Sequence, residues 1–469
     1  MKLAVRIAVL AIGSLAATVQ AQRYEPTWQS IDARETPKWF PDAKFGIFIH
    51  WGVYAVPSWG VKGQYSEWYW RRLVDDQRRG QGPWLAFHNR TFGPEVRYQD
   101  FASRWRAELF DAKQWAGLFK RAGARYIVLT SKHHEGFCLW PNPQSWNWNS
   151  VDVGPHRDIA AEYMQAMHDA GLKAGFYYSL YEWFNPLFQS DVGRYVDEHM
   201  IPQIKDLITH TKPDVFWGDG EWDHPSETWK STQWLAWILN DSPAPKDIAL
   251  NDRWGKETRG RHGGFYTTEY GKVHEDDPGA AFLQHPWEEC RGMGASFGYN
   301  RNESIDEYRD ARTMIHELIQ IVAKGGNLLL DVGPTADGRI PVIMQERLVQ
   351  IGDWLKVNGE GIYETRPWRV AVDGRETTGT EKRGWASDGK VWFTAKGDRV
   401  YAISLAWPER ELALIQPKPA ADATVTLLGY GQPLKWRAEG DRMIVDVPAL
   451  SVEQAPCRHA YVFKLTGVK

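Results

Sequence analysis

Two short runs place carboxylates where they could act on a sugar acetal. In Trp217-Gly218-Asp219-Gly220-Glu221-Trp222, Asp219 sits between two glycines, just past an apolar stretch at residues 214–217. Glycine lets a backbone bend and lets a substrate come close. An acidic residue between glycines is more often a plain turn, so the strand end and the bracketing tryptophans are what point to a site. In Thr268-Glu269-Tyr270, Glu269 ends the strand-like segment 264–268 beside aromatics, a setting that suits a general acid. Its structural alternative is a salt-bridged strand-end carboxylate. A rival acid is Glu288, in Pro286-Trp287-Glu288-Glu289-Cys290. Hydrolysis of a glycosidic bond with retention needs two carboxyl groups about 5–5.5 Å apart, one to attack the anomeric carbon and one to exchange a proton with the leaving oxygen.

His50, His133, His134 and His262 could be read as a metal site. His133 and His134 are adjacent and cannot share one face of an element, and no His-x-x-x-His occurs, so hydrogen bonding to sugar hydroxyls is the favoured reading and no metal is expected. Glu67-Trp68 and Arg253-Trp254 are charged–aromatic pairs of the kind that bind polyols; the alternative is a buried ion pair with aromatic packing. The chain has 26 tryptophans, most of them expected in the core, with some available to pack an indole face on a pyranose.

These residues need a scaffold that gathers strand ends. Residues 45–49 and 126–129 read as buried strands, and a further strand lies around 174–178. Helices precede the second and third, with Asp158 as an N-cap and glycine stops at Gly123 and Gly171. Further strands are expected at 214–217, 248–250, 264–268 and 328–332, and helices at 228–239 and 305–323. The repeated unit predicts a parallel (β/α)8-like TIM barrel, and no glycine-rich dinucleotide fingerprint follows the first strand. In such a barrel the catalytic groups lie at the C-terminal strand ends, where His50-Trp51, His133-His134-Glu135 and Asp219 fall. After about Glu360 only short strands follow, near 391–393, 400–405, 424–428, 443–447 and 460–465, which predicts a C-terminal antiparallel β-sandwich domain packed closely on the barrel.

The expected organisation is a signal peptide at 1–21, a catalytic barrel domain at 22–362 and a sandwich domain at 363–469. Lys2 and Arg6 precede an apolar segment, 7–17, too short to span a membrane, and Val19-Gln20-Ala21 has the small-x-small cleavage pattern. An exported product is expected, periplasmic or extracellular, or lysosomal in a eukaryote, without membrane insertion. A net charge of -3 gives no reason to expect a nucleic-acid partner. Cys138, Cys290 and Cys457 are too few for a disulfide scaffold, and three unpaired thiols are expected, with a Cys138–Cys290 bridge as the alternative.

The runs Lys44-Phe45-Gly46-Ile47-Phe48-Ile49-His50-Trp51-Gly52, Glu67-Trp68-Tyr69, Ser131-Lys132-His133-His134-Glu135-Gly136-Phe137, Trp217-Gly218-Asp219-Gly220-Glu221-Trp222 and Asn251-Asp252-Arg253-Trp254 together resemble the retaining α-L-fucosidases of glycoside hydrolase family 29. The resemblance continues through Gly325-Gly326-Asn327 to the C-terminal Lys469. It implies a (β/α) barrel followed by a β-sandwich, Asp219 as nucleophile, and fucose-binding residues at His50, Glu67, Trp68, His133, His134, Tyr178, Trp217 and Arg253. Phe297 matches an aromatic near the sugar's methyl group. It further implies no cofactor, and fucosylated glycans, glycoproteins or oligosaccharides as substrates. Glu269 is taken as acid/base because Thr268-Glu269-Tyr270 is similar to a bacterial Thr-Pro-Glu-Tyr pattern; Thr268 stands where that pattern has proline, and Glu288 stays open. Arg253 is expected to keep Asp219 ionised. A non-catalytic sugar-binding protein, a barrel glycosidase for another sugar and a transglycosylase are the alternatives, and oligomeric state and linkage preference are left open.

Overall fold

The computed structural model describes residues 23–270, 284–373 and 391–469, so the expected signal peptide lies outside the described residues. Eight strands form one parallel sheet: β1 (Phe45–Ile49), β2 (Tyr126–Lys132), β3 (Lys173–Ser179), β4 (Val215–Asp219), β5 (Ala249–Leu250), β6 (Tyr266–Glu269), β7 (Trp287–Gly292) and β8 (Asn327–Val332). Their order is β5-β4-β3-β2-β1-β8-β7-β6. The gap between β5 and β6 is bridged by main chain, with Phe265 N donating to Leu250 O at 2.9 Å and Gly264 N to Asn251 O at 3.0 Å. Gly264 is required there, because a Cβ would lie 1.9 Å from Leu250 O. The result is the expected barrel.

Seven of the eight strands fall where apolar runs predict them. The exception is β7, whose Glu288, Glu289 and Arg291 hide a strand in which every residue is buried. Arg291 donates to Glu289 Oε1 at 2.6 Å and to Glu317 Oε1 at 2.7 Å, so the charges are buried as partners rather than singly. Asp158 caps its helix as expected, accepting from Ala161 N at 3.0 Å. The helix expected from 305 starts at Ala311, because Asp310 caps it there through Thr313 N at 2.8 Å. All three cysteines are free, so no Cys138–Cys290 bridge forms.

The C-terminal region holds a six-stranded and a three-stranded sheet, both antiparallel. In the larger sheet, side chains alternate between two cores. Trp392, Tyr401, Ile403 and Val462 join the barrel core, while Val391, Phe393, Val400, Ala402, Phe463 and Leu465 meet Leu412, Leu414, Met443 and Val445 of the smaller sheet. That is the expected sandwich, docked on the barrel. Trp354 Nε1 fixes the contact by donating to Ala460 O at 2.9 Å. Among the described residues, no helix is long and apolar enough to cross a membrane.

Just before β1, Lys44 is fully buried and its Nζ has no hydrogen-bond partner. Burial pushes its ammonium down to about 7; Arg366 adds to this and Asp42 opposes it. A lysine held below its unfolded value costs stability. The cost is complete below the folded value and fades as pH rises toward about 10.4. Lys44→Met is therefore expected to stabilise the fold at pH 6, by up to about 5 kcal/mol at ~1.36 kcal/mol per unit, and much less at pH 10. Thermal melts across that range check it, and a gain that did not shrink at alkaline pH would count against the buried ammonium as its cause.

Candidate active site

The C-terminal ends of the barrel strands surround a small, half-open cleft. His50 follows β1, His133 and His134 follow β2, Tyr177 is on β3, and Trp217 and Asp219 are on β4. Arg253 follows β5, Glu269 ends β6, and Glu67, Trp68 and Phe297 come from loops. Nearly all of these side chains are buried, so the site is made by the rigid strand ends rather than by the surface.

Asp219 is held by three groups, Arg253, Tyr177 and Arg259. Arg253 Nη1 donates to Oδ1 at 2.7 Å and Tyr177 Oη donates to Oδ2 at 2.9 Å. Arg259 Nη2 approaches Oδ1 at 3.4 Å, and His134 Nε2 lies 3.8 Å from Oδ2. Burial by itself would raise this carboxyl, but the guanidinium of Arg253, helped by Arg259, outweighs it and holds Asp219 well below the usual carboxylate range. Gly218 allows the geometry, because a Cβ there would come within 2.2 Å of the Trp254 ring and 2.8 Å of Arg253 O.

Arg253 also reaches the second carboxylate. Its Nη2 lies 3.5 Å from Glu269 Oε2, while Tyr65 Oη donates to Glu269 Oε1 at 2.8 Å. One guanidinium thus spans Asp219 and Glu269, and its Nε is fixed by Thr267 Oγ1 at 2.9 Å. Its flat face lies over Trp217, 4.4 Å from the ring centroid. Glu288 sits lower. In the β6–β7 register Glu269 pairs with Cys290, which lines the cleft, whereas Glu288 pairs with Thr267, two residues down. Glu288 is fully buried, accepting from Trp217 Nε1 at 2.8 Å and from Tyr126 Oη. Burial pushes its carboxyl up to about 7 against those two donors.

One histidine of the cleft, His134, has its tautomer fixed by its neighbours. Ser179 Oγ spends its proton on Tyr181 O at 2.6 Å, so its 2.7 Å contact with His134 must have Nδ1–H donating. His134 Nε2 is then bare and free to accept a hydrogen bond in the cleft. Burial, with His133 beside it, holds the His134 imidazole well below its ordinary value and so neutral. His50 Nδ1 contacts Asp331 Oδ1 at 2.7 Å, and burial likewise lowers this ring. Burial raises Glu67 to about 7 although Gly298 N donates to it at 2.9 Å. Phe297 stacks on His50 with centroids 4.8 Å apart, giving the cleft an apolar wall.

The structure brings together His50, Glu67, Trp68, His133, His134, Trp217, Asp219, Arg253, Glu269 and Phe297. It does not bring Tyr178. In β3, Tyr177 and Ser179 are in register with Trp217 and Asp219 and point inward, while Tyr178 pairs with Gly218 and points outward, donating to Gln203 Oε1 at 2.7 Å. Tyr177 takes the place expected of Tyr178. His262 lies elsewhere, contacting Asp32 Oδ2 at 2.8 Å, and Trp254 is a core residue against Phe216 and Trp234. Sequence reasoning missed Tyr65, Tyr177, Trp222 and Arg259. Trp222 is at the cleft mouth, and its place inside the Asp219 run was a usable signal; Tyr65 had only its nearness to Glu67.

With this geometry in place, comparison with known proteins gives a uniform result. A family model described as Alpha-L-fucosidase matches residues 11–360, and one described as Alpha-L-fucosidase C-terminal domain matches residues 386–466. The chain is 41% identical to the tissue alpha-L-fucosidase of Homo sapiens, over 99% of this chain and 97% of that protein. It is 42% identical to the alpha-L-fucosidase of Branchiostoma floridae, over 98% and 99%. A Thermotoga maritima alpha-fucosidase solved in complex with a mechanism based inhibitor superposes with a TM-score of 0.80 at 34% identity, over 95% of this chain and all of that one.

Proposed function

Because the chain belongs to the alpha-L-fucosidase family, and so is a glycoside hydrolase that releases fucose, we propose that it cleaves terminal α-L-fucose by a retaining double displacement with Asp219 as nucleophile and Glu269 as acid/base. The observation that carries this reading is the shared guanidinium: Arg253 lies 2.7 Å from Asp219 Oδ1 and 3.5 Å from Glu269 Oε2, so the two carboxylates that the mechanism needs stand together in one cleft. Asp219 is ionised and its oxygens are aimed by Arg253 and Tyr177, as a nucleophile requires. Glu269, held by Tyr65, is the carboxyl at the cleft mouth, where a leaving oxygen can reach it.

In the first step Asp219 attacks the anomeric carbon while Glu269 gives its proton to the glycosidic oxygen. In the second, Glu269 takes a proton from water, which displaces Asp219. The bare Nε2 of His134, with His50, His133, Glu67 and Trp68, would bind the ring hydroxyls, and Phe297 would face the C6 methyl. Fucosylated glycans are the substrate class. The leader-like segment before Gln22 supports export, so that the enzyme would meet them outside the cytoplasm.

The test is hydrolysis of 4-nitrophenyl α-L-fucoside by the purified mature chain, followed by ¹H NMR from the first seconds. The α-anomer of fucose is expected before mutarotation. First-formed β-fucose would overturn the retaining assignment, and equal turnover of 4-nitrophenyl α-L-galactoside, which differs only by a hydroxyl on C6, would overturn the assignment of Phe297 to the methyl group.

A further inference from the structure

The buried carboxylate below the cleft has no part in the chemistry just described, yet its placement is demanding. Glu288 on β7 meets Trp217 from β4 and Tyr126 from β2, although none of these strands is a neighbour of another in the sheet. The three side chains cross the barrel interior to meet. Both carboxylate oxygens are taken by donors, and a residue pair along β7 separates Glu288 from the cleft level, a depth of about 6.6 Å at 3.3 Å per residue. Packing alone would be served as well by an apolar residue, because burying a carboxylate carries a desolvation cost.

What this carboxylate does hold is the indole under the reacting groups. Trp217 lines the cleft, and the Arg253 guanidinium lies on its face. Arg253 in turn fixes Asp219. We infer that Glu288 is a positioning residue: it clamps the Trp217 indole across the barrel, and through it keeps Arg253 flat and in line with both catalytic carboxylates. It does not exchange a proton with the leaving oxygen. This rests on the reading of Glu269 as acid/base.

The experiment compares Glu288→Gln, Glu288→Ala and Glu269→Ala on 4-nitrophenyl α-L-fucoside and on an unactivated fucosyl oligosaccharide, with and without azide. A glutamine can satisfy both neighbours, its carbonyl accepting from Trp217 and its amide donating to the Tyr126 oxygen. Glu288→Gln is expected within about fivefold of wild type, the worth of one exchanged hydrogen bond. Glu288→Ala is expected to lose about 10–100-fold in kcat/KM, the scale of a small misplacement, by the same factor on both substrates and without azide rescue. In a Trp217→Phe background, which keeps an aromatic face but removes Nε1–H, the Glu288→Ala loss should shrink to under about threefold.

A loss concentrated on the unactivated substrate and rescued by azide would make Glu288 the acid/base and overturn the inference. An undiminished loss in the Trp217→Phe background would also overturn it, because the action would not pass through the indole. The Glu269→Ala arm tells separately whether the acid/base reading fails: azide rescue there supports it whatever Glu288 does.

Discussion

Asp219→Gly is expected to lower kcat/KM on 4-nitrophenyl α-L-fucoside by about 10⁵ or more, the scale of deleting a covalent nucleophile. No neighbour can replace it. Glu221 is the nearest acidic residue in sequence, but it is buried and tied to Arg259 Nε at 2.5 Å. The variant should still fold. Arg253 keeps Thr267, the Trp217 face and Glu269 as partners, so the loss should stay below the ~3–5 kcal/mol of an orphaned buried charge. The sign of its pH dependence follows from the depressed value of Asp219 in the wild type: the contribution is complete above the unfolded value near 3.9 and is lost as pH falls below it. The melting-temperature gap between wild type and variant should therefore be full at pH 6 and narrow below about pH 4. Azide, small enough for the vacated space, should displace nitrophenolate from the side of Asp219 and give β-L-fucosyl azide. Residual activity within tenfold of wild type in a folded variant, with no azide product, would remove Asp219 from its role.

The parts of this site that could be read from sequence are those where an apolar run stops at a polar residue. His50, His133-His134 and Asp219 all follow that rule, and the glycines around Asp219 mark where the backbone must give way. The rule fails where both faces of a strand are buried. In β3 every residue from Ala174 to Ser179 is buried, so nothing in Tyr177-Tyr178 tells which tyrosine faces inward. That depends on the β3–β4 register, a property of two strands about forty residues apart. It fails again at β7, whose charges look like a surface segment until Glu317 and Glu289 are seen around Arg291. The choice between Glu269 and Glu288 is a third case. The two lie on adjacent parallel strands and differ in height along the barrel, which no local pattern encodes. Arg259 was invisible for another reason: it reaches Asp219 from the loop 251–264, whose path over the cleft is set by tertiary contacts such as Lys256 N to His224 O at 3.0 Å.

Glu269→Ala should separate the two chemical steps. Departure of a poor leaving group needs a proton, so on an unactivated fucosyl oligosaccharide the loss is expected at about 10³–10⁴, the upper range for general acid catalysis. A 4-nitrophenolate leaves without much help, so on the aryl fucoside the first step survives and the second, which needs a base for water, becomes limiting. Azide needs no base. It should attack the fucosyl-Asp219 intermediate from the face that water uses and restore aryl turnover as α-L-fucosyl azide, the opposite anomer to the Asp219→Gly product. The pair of anomers fixes which side each carboxylate works from, which neither variant can do alone. Tyr65 Oη and Arg253 Nη2 lose a partner in this variant, but Tyr65 stands at a cleft open to water and Arg253 retains Asp219, so the loss should be catalytic rather than a loss of fold. Equal losses on the two substrates, or a β-configured azide, would mean that Glu269 serves Arg253 and not the leaving oxygen.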